Sequence, residues 1–187
     1  MRITGNTYTA EVTSEERLQV DASSRNPAAI AAHDQNAYIV WVEADPSAAT
    51  ADFFYLKNTS SANLHIHKMT LWQDPTAGAI QEVSVTLGVT GSPTAGTAKV
   101  PANVYAGGKA ADVTCEYKDG DMALTGGTVT DKIHYETSAT ETTGQEITKV
   151  YTETLILPPN TAMVLNNLYD PTSYSIDMSI HFYFDEV

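Results

Sequence analysis

Two histidines separated by one residue are the strongest candidate for metal chemistry in this sequence. His65 and His67 lie in an alternating stretch that predicts a β-strand, so the two imidazoles share one strand face, about 7 Å apart. Cupin metal sites place such a pair on a strand but complete the shell with a carboxylate and a further histidine. Here no glutamate follows at the usual short spacing, and His134 and His181 lie alone. We therefore expect no metal and no cofactor, and interpret the pair as polar-face or packing histidines.

Acidic side chains are the second group with catalytic potential, because glycosidases act through two facing carboxyl groups. The chain has 23 aspartates and glutamates, so chance proximity is expected, and no spacing pairs the candidates Glu43, Asp45, Glu136 and Glu153. The Asp-Gly-Asp stretch at 119–121 lacks the rest of a calcium loop and is typical of a turn. The sequence has no GxSxG, P-loop, strand-linked GxGxxG or CxxC motif. We predict that the protein is not an enzyme and has no catalytic residue.

Composition excludes several classes of partner. The net charge is −13, with 10 lysines and arginines against 23 acidic residues, and such a surface repels nucleic-acid phosphates and anionic lipids. No apolar run approaches the roughly 18 residues of a membrane span. We therefore expect neither nucleic acid nor a membrane as partner.

The single cysteine, Cys115, excludes an intrachain disulfide, so folding in a reducing cytosol is expected. It lies in an alternating stretch that predicts a strand. A reactive thiol needs a nearby base and a lowered pKa, so this position favours a buried structural thiol.

Short stretches rich in β-branched and aromatic residues alternate with turn signals after residue 36, which predicts about nine or ten strands and no long helix. The clearest alternation predicts a core that contains Val83, Val85, Leu87, Ile176, Met178, Ile180 and Phe182. Strict alternation in residues 64–72 predicts one face with Leu64, Ile66, Lys68, Thr70 and Trp72, and another with His65, His67, Met69 and Leu71. We predict an all-β fold, an antiparallel β-sandwich of the jelly-roll type.

Residues 1–36 are polar and weakly periodic, and we interpret them as an N-terminal arm that precedes a sandwich domain of residues 37–187. The arm carries isolated apolar residues at intervals: Ile3, Tyr8, Val12, Leu18, Val20 and Ile30. Burial of one such residue against a partner contributes about 1.5–3 kcal/mol, which offsets part of the cost of ordering the segment. We expect these six residues to contact the capsid or a neighbouring subunit. The alternative is that the arm adds strands to its own sandwich.

Three stretches after the arm resemble a pattern in virion structural proteins of tailed bacteriophages. They are the aromatic strand 37–41, the stretch 52–60 with its Leu-Lys-Asn-Thr-Ser sequence, and the strand start 64–66. The resemblance covers residues 37–72 and concerns a hairpin rather than an active site. Similar proteins are jelly-roll decoration or cement proteins on the outside of capsids, often as trimers. The resemblance implies a structural protein that stabilises a phage head, with the major capsid protein and further copies of itself as partners.

The resemblance also implies synthesis in the host cytoplasm and a final location on the capsid surface. A trimer is expected because identical subunits usually assemble with closed rotational symmetry and a capsid offers threefold positions. A head-fibre base or a tail component fits the same resemblance.

The alternative function is a carbohydrate- or receptor-binding β-sandwich module of a phage tail or head fibre. The flat faces of Tyr105, Tyr117, Tyr135 and Tyr151 would then form a platform on which sugars stack. Packing between sheets or subunits is the more frequent role of tyrosine in a sandwich. A third class, an enzyme of the cupin or glycoside hydrolase type, has only the histidine pair and the carboxylates above in its favour.

Overall fold

The computed structural model describes residues 2–5, 8–12, 18–21, 28, 31, 35–46, 51–73, 80–94, 96–118, 122, 124–136, 145–168 and 175–185. Within these ranges the chain forms fourteen strands: β1 (Arg2–Gly5), β2 (Tyr8–Val12), β3 (Leu18–Asp21), β4 (Ala37–Ala44), β5 (Ala51–Asn58), β6 (Leu64–Gln73), β7 (Ile80–Thr90), β8 (Thr97–Ala98), β9 (Ala102–Asn103), β10 (Val113–Tyr117), β11 (Thr125–Glu136), β12 (Gln145–Leu157), β13 (Ala162–Asn167) and β14 (Ile176–Phe184). In the same ranges, no helix has the length and hydropathy needed to cross a membrane.

Two antiparallel sheets pack face to face. The five-stranded sheet has the order β12-β6-β14-β4-β9, and the six-stranded sheet has the order β11-β7-β13-β5-β10-β8. Successive strands from β4 to β7, and again from β11 to β14, alternate between the sheets. The resulting four-stranded blocks, β12-β6-β14-β4 and β11-β7-β13-β5, have the strand orders of the two facing sheets of a jelly roll. The predicted all-β, jelly-roll sandwich is confirmed.

The strands β8, β9 and β10 are an insertion between β7 and β11. They extend both sheets on the same side of the sandwich, because β9 pairs with β4 and β10 pairs with β5. The opposite side is bounded by β11 in one sheet and β12 in the other.

The core lies between the two sheets and follows the alternation of the sequence. The six predicted core residues that are at most 1% exposed are Val83, Val85, Ile176, Met178, Ile180 and Phe182, and Leu87 packs partly buried against them. The ring of Tyr38 stacks on Phe182 with centroids 5.5 Å apart, and the edge of Phe184 meets it at 5.7 Å. These core predictions are therefore confirmed.

Strict alternation in β6 is wrong beyond His67. The pairing of β6 with β14 shifts at this point, because Phe182 lies opposite Ile66 whereas His181 lies opposite Lys68. The extra residue, His67, forms a β-bulge, which reverses the facing of the residues that follow. Met69 and Leu71 are consequently buried in the core, while Lys68, Thr70 and Trp72 belong to the outer face. Burial of two large apolar side chains explains why the bulge is tolerated.

A second, smaller cluster lies on the outer face of the six-stranded sheet. Met122 crosses the sheet and is buried against Tyr55, Val89, Ala162 and Val164, with Leu124 partly buried beside them. The Met122 amide donates to the Asp52 carbonyl oxygen at 2.9 Å. The segment before β11 is therefore fixed to the outer surface of β5.

The first three strands form a sheet of their own, with the antiparallel order β1-β2-β3. Among the described strands, no strand of either sandwich sheet pairs with a strand of this three-stranded sheet. The described strands of residues 2–21 thus pair with one another and not with the strands of the sandwich.

Candidate interaction surfaces

The strand register of the three-stranded sheet puts its apolar positions on one face and most of its polar positions on the other. Ile3 lies opposite Ala10, which lies opposite Val20; Val12 lies opposite Leu18. Directly opposed positions share a face, and alternate positions of one strand do too. One face therefore carries the positions of Ile3, Tyr8, Ala10, Val12, Leu18 and Val20, and the other those of Arg2, Thr4, Thr9, Glu11, Gln19 and Asp21.

Five of the six residues predicted to contact a partner thus occupy one face of this sheet, which we call the apolar arm face. The sixth, Ile30, lies outside the described residues. The spacing of these residues in the sequence did not reveal the shared face, because it emerges only when three short strands pair in register.

Exposed apolar side chains occupy the edge of the five-stranded sheet at the insertion. Trp41 is 51% exposed on β4, and the neighbouring β9 is flanked by Val100 and Val104, which are 80% and 54% exposed. Tyr105 is 51% exposed beside them, and Val104 is held by a hydrogen bond from its amide to the Ala37 carbonyl oxygen. We call Trp41, Val100, Val104 and Tyr105 the edge patch.

The Lys99 side chain lies at the border of the edge patch. The Lys99 ammonium lies 5.6 Å from the centre of the Trp41 ring and 5.9 Å from that of Tyr117, within reach of a cation–π interaction with both. A sheet edge with only two paired residues in its last strand and large exposed apolar side chains is typical of a surface that another chain covers.

The tyrosines predicted as a sugar platform do not share one surface. Tyr117 packs partly buried against the core, and Tyr151 is only 6% exposed on the opposite side of the sandwich from Tyr105. The side chain of Tyr135 lies outside the described part of the structure. The indoles that are half exposed on the five-stranded sheet are Trp41 and Trp72, on the two strands that flank β14.

The two histidines of the predicted pair have different neighbours. The His65 ring stacks on Tyr183 with centroids 4.9 Å apart, and its Nε2 lies 2.7 Å from the Asp185 carboxylate, without the alignment of a hydrogen bond. Burial, together with nearby Lys68 and His67, lowers the pKa of His181. Among the residues that the structure describes, no group of three or more histidine, cysteine or acidic side chains is arranged to hold a metal.

Asp131, Lys149 and Tyr151 form a polar cluster at the side of the sandwich where β11 and β12 end the two sheets. The Tyr151 hydroxyl donates to Asp131 Oδ2 at 2.8 Å, and Lys149 Nζ lies 3.0 Å from the same carboxylate oxygen. Burial raises the pKa of Tyr151, and the Asp131 carboxylate raises it further. Burial also disfavours the Asp131 charge, but Lys149 and Tyr151 outweigh this and lower the pKa of Asp131. The cluster joins the sheets rather than forming an open site.

Cys115 lies on β10 with 4% of its surface exposed and contributes to the core. Burial, followed by the nearby Glu116 charge, raises the pKa of its thiol to about 12. The thiol is therefore protonated at neutral pH, which makes it a poor nucleophile.

A cavity of about 350 Å³ lies on the outer face of the six-stranded sheet, beside the segment that Met122 fixes there. Its polar lining consists of Asp52, Ser84, Thr86 and Asn166. Its remaining lining is apolar or glycine: Val89, Leu124, Gly126, Gly127, Val129, Val164 and Leu168. We call it the Asp52 cavity. No local sequence pattern predicts this cavity, because its walls come from four strands and a crossing segment.

Comparisons with known proteins assign no family. No protein-family model matches the chain, and no curated protein matches it. A solved structure of infectious bursal disease virus, Gx strain, is 8% identical over 99% of this chain and 49% of that chain, with a TM-score of 0.16. The chain thus spans about half the length of that viral chain. Similarity at this level carries no argument, so function is inferred from the chain's own residues.

Proposed function

We propose that this protein is a capsid decoration or cement protein of a tailed bacteriophage, which stabilises the head by binding the outer surface of the shell. The sequence resemblance of residues 37–72 to phage virion proteins supports this proposal, and so does the jelly-roll topology, an architecture used by viral capsid domains. The same topology occurs in lectins and cupins, so the proposal depends on further surface features.

The observation that carries the proposal is the register of the three-stranded sheet. It puts five apolar positions of the arm on one face and charged or hydroxylated positions on the other. A three-stranded sheet with strands of four or five residues buries little apolar surface by itself, so a partner that covers its apolar face would stabilise it. A capsid shell supplies such a partner, and the major capsid protein is the subunit that it would contact.

The edge patch supplies a second contact, between copies of the protein. Trp41 and Tyr105 belong to the residue types that dominate the energetics of protein interfaces. A trimer formed through this edge would cover the exposed side of β9 and match a threefold position of the shell. The net charge of −13 keeps such a protein soluble before it assembles.

The alternative, a carbohydrate- or receptor-binding module of a tail or head fibre, has less support as the main role. Of the tyrosines that would form its platform, Tyr117 packs against the core and Tyr151 is buried on the opposite side of the sandwich from Tyr105. Trp41 and Trp72 remain as exposed aromatic side chains, but β14 separates their strands.

Mass spectrometry and cryo-electron microscopy of purified virions test the proposal. We expect the protein in a fixed ratio to the major capsid protein, with density on the outer surface of the head. A chain without residues 1–21 is expected to remain folded and to leave capsids undecorated. Absence of the protein from virions, or its location in the tail alone, would contradict the proposal.

A further inference from the structure

We infer that the Asp52 cavity binds a neutral, hydroxylated ligand of the size of one sugar residue. The site is distinct from the apolar arm face and the edge patch, so it constitutes an additional binding activity. Its position on the outer face of the six-stranded sheet leaves it accessible beside Val129, which is 51% exposed.

The polar side of the cavity is held in a fixed geometry. Asp52 Oδ2 accepts a hydrogen bond from the Leu124 amide at 2.9 Å, and Asp52 Oδ1 accepts one from Asn166 Nδ2 at 2.8 Å. A bulge in the pairing of β13 with β5, between Leu165 and Asn166, brings Asn166 opposite Asp52. The carboxylate is therefore oriented before a ligand arrives, which reduces the entropic cost of binding.

Two hydroxyl groups lie on β7, across β13 from Asp52, because Asn166 is paired with Asp52 on one side and with Ser84 on the other. Ser84 is 2% exposed and Thr86 is partly buried, and both line the cavity. Each hydroxyl donates one hydrogen bond and accepts others, so the pair is suited to a ligand whose own hydroxyls do the same.

The rest of the lining is apolar. It includes Val164, which is 1% exposed, together with Leu124 and Val129. A small-molecule site typically combines such apolar walls with a few convergent polar groups. The C–H face of a sugar ring would cover the valine and leucine surface while its hydroxyls reach Asp52, Ser84 and Thr86.

Size and charge narrow the ligand class. The volume of about 350 Å³ lies at the lower end of the range for small-molecule sites, roughly 300–1,000 Å³. Among the described residues that line the cavity, Asp52 is the only ionisable one, so an anionic ligand is repelled. A wholly apolar ligand would remove water from Asp52 and the hydroxyls without replacing those hydrogen bonds.

Titration of the ¹⁵N-labelled full-length protein, followed by NMR, tests this inference. The probes are glucose, galactose and mannose, the corresponding uronic acids, and oligosaccharides that end in the sugar that binds. We expect saturable shifts of residues around Asp52 with at least one neutral sugar, and no saturation with its uronic acid. Binding of the free sugar alone assigns a monosaccharide ligand, whereas equal binding of the oligosaccharide assigns the end of a glycan.

Two variants locate the binding. Val129→Arg places a long side chain at the mouth of the cavity and is expected to weaken binding at least tenfold. Val150→Arg is the matched control, because Val150 is 54% exposed on the other sheet and should leave binding unchanged. Thr86→Val keeps the side-chain shape and removes one hydroxyl, so we expect a loss of about three- to tenfold.

The inference is overturned if no neutral sugar gives saturable shifts at millimolar concentration, if the uronic acids bind better, or if Val129→Arg and Thr86→Val bind like the unmodified protein. All three variants leave residues 1–21 unchanged, so none of these results bears on capsid binding.

Discussion

Tyr151 on β12 donates a 2.8 Å hydrogen bond to Asp131 on β11, and this bond links the last strand of one sheet to the last strand of the other. Lys149 adds an ion pair to the same carboxylate at 3.0 Å. On the other side of the sandwich the inserted strands extend both sheets. The Tyr151–Asp131 pair is therefore the polar connection that closes the sandwich where no insertion extends it.

Replacement of Tyr151 by phenylalanine removes this connection with little change in shape. We expect the free energy of unfolding to fall by about 1–2 kcal/mol, because a hydrogen bond to a charged, half-buried partner is lost. Urea denaturation followed by tryptophan fluorescence measures the change. Tyr105→Phe is the control, since Tyr105 is 51% exposed, and it should leave the midpoint unchanged. Equal effects of the two substitutions would show that the link is energetically unimportant.

The same cluster predicts a specific acid dependence. The lowered pKa of Asp131 means that its charge stabilises the folded state above the ordinary carboxyl pKa, about 3.9, and that this contribution is lost as the pH falls through the folded-state pKa. Asp131→Asn should therefore be less stable than the unmodified protein at about pH 6, and the difference should shrink as the pH falls below the ordinary carboxyl pKa of about 3.9. Denaturation midpoints of both proteins across this range provide the test. A difference that stays constant at low pH would contradict the assignment.

Asn58 gives the Leu-Lys-Asn-Thr-Ser stretch a structural role in the turn after β5. Its Nδ2 donates to the carbonyl oxygens of Ala62 and Leu157, each at 2.8 Å, and its Oδ1 accepts from the Ser60 amide at 2.9 Å. Asn58 is fully buried, so this one side chain fixes the turn after β5 and ties it to the end of β12.

Substitution of Asn58 by leucine would keep the number of side-chain heavy atoms and remove these hydrogen bonds. The Ala62 carbonyl oxygen still accepts from the Ser60 hydroxyl at 2.9 Å, but the Leu157 carbonyl and the Ser60 amide lose the Asn58 side chain. At about 1–3 kcal/mol for each unsatisfied buried group, we expect a loss of at least about 2 kcal/mol in the free energy of unfolding. The exposed neighbour Thr59, replaced by alanine, should change it by less than about 0.5 kcal/mol. Thermal or urea unfolding of both variants gives the comparison, and a mild effect of Asn58→Leu would contradict this role.

If the protein forms a trimer, we expect the edge patch to supply the contacts between its copies. Trp41→Ser combined with Val104→Ser should weaken a trimer at least tenfold, because two exposed apolar contacts are removed. Trp72→Ser is the matched control, since Trp72 is 53% exposed on the same sheet but on the far side of β14. Sedimentation velocity at micromolar concentration distinguishes these cases. A monomeric unmodified protein would remove the trimer from the proposal, while capsid binding would stay open to test.

The sequence predicted those parts of the fold that depend on local alternation. The core was predicted correctly at Val83 and Val85 and at the alternate, even-numbered residues of β14, because each of these strands has one buried face. The bulge at His67 was missed, since it depends on the partner strand β14 rather than on β6 itself. Likewise Tyr151 could be placed on a strand but not at a sheet edge beside Asp131, which lies 20 residues away in sequence.

The candidate surfaces were less predictable than the core. The apolar arm residues were identified, but their common face required the pairing of three strands. The Asp52 cavity required both the bulge at Asn166 and the crossing of Met122, neither of which has a local sequence signal. The surface sites of this fold depend on which strands pair, whereas the core depends on the apolar residues that alternate along each strand.

We propose that the apolar arm face anchors the jelly roll on a capsid. The direct measurement is the occupancy of stripped phage capsids by two paired variants, determined by co-sedimentation and cryo-electron microscopy. Ile3→Asn with Val20→Asn alters the apolar arm face, whereas Thr4→Asn with Gln19→Asn alters the opposite face of the same sheet. We predict at least a tenfold loss of affinity for the first pair and unchanged binding for the second, with the sandwich folded in both. Full occupancy by the variant with the altered apolar face would show that this face is not the anchor.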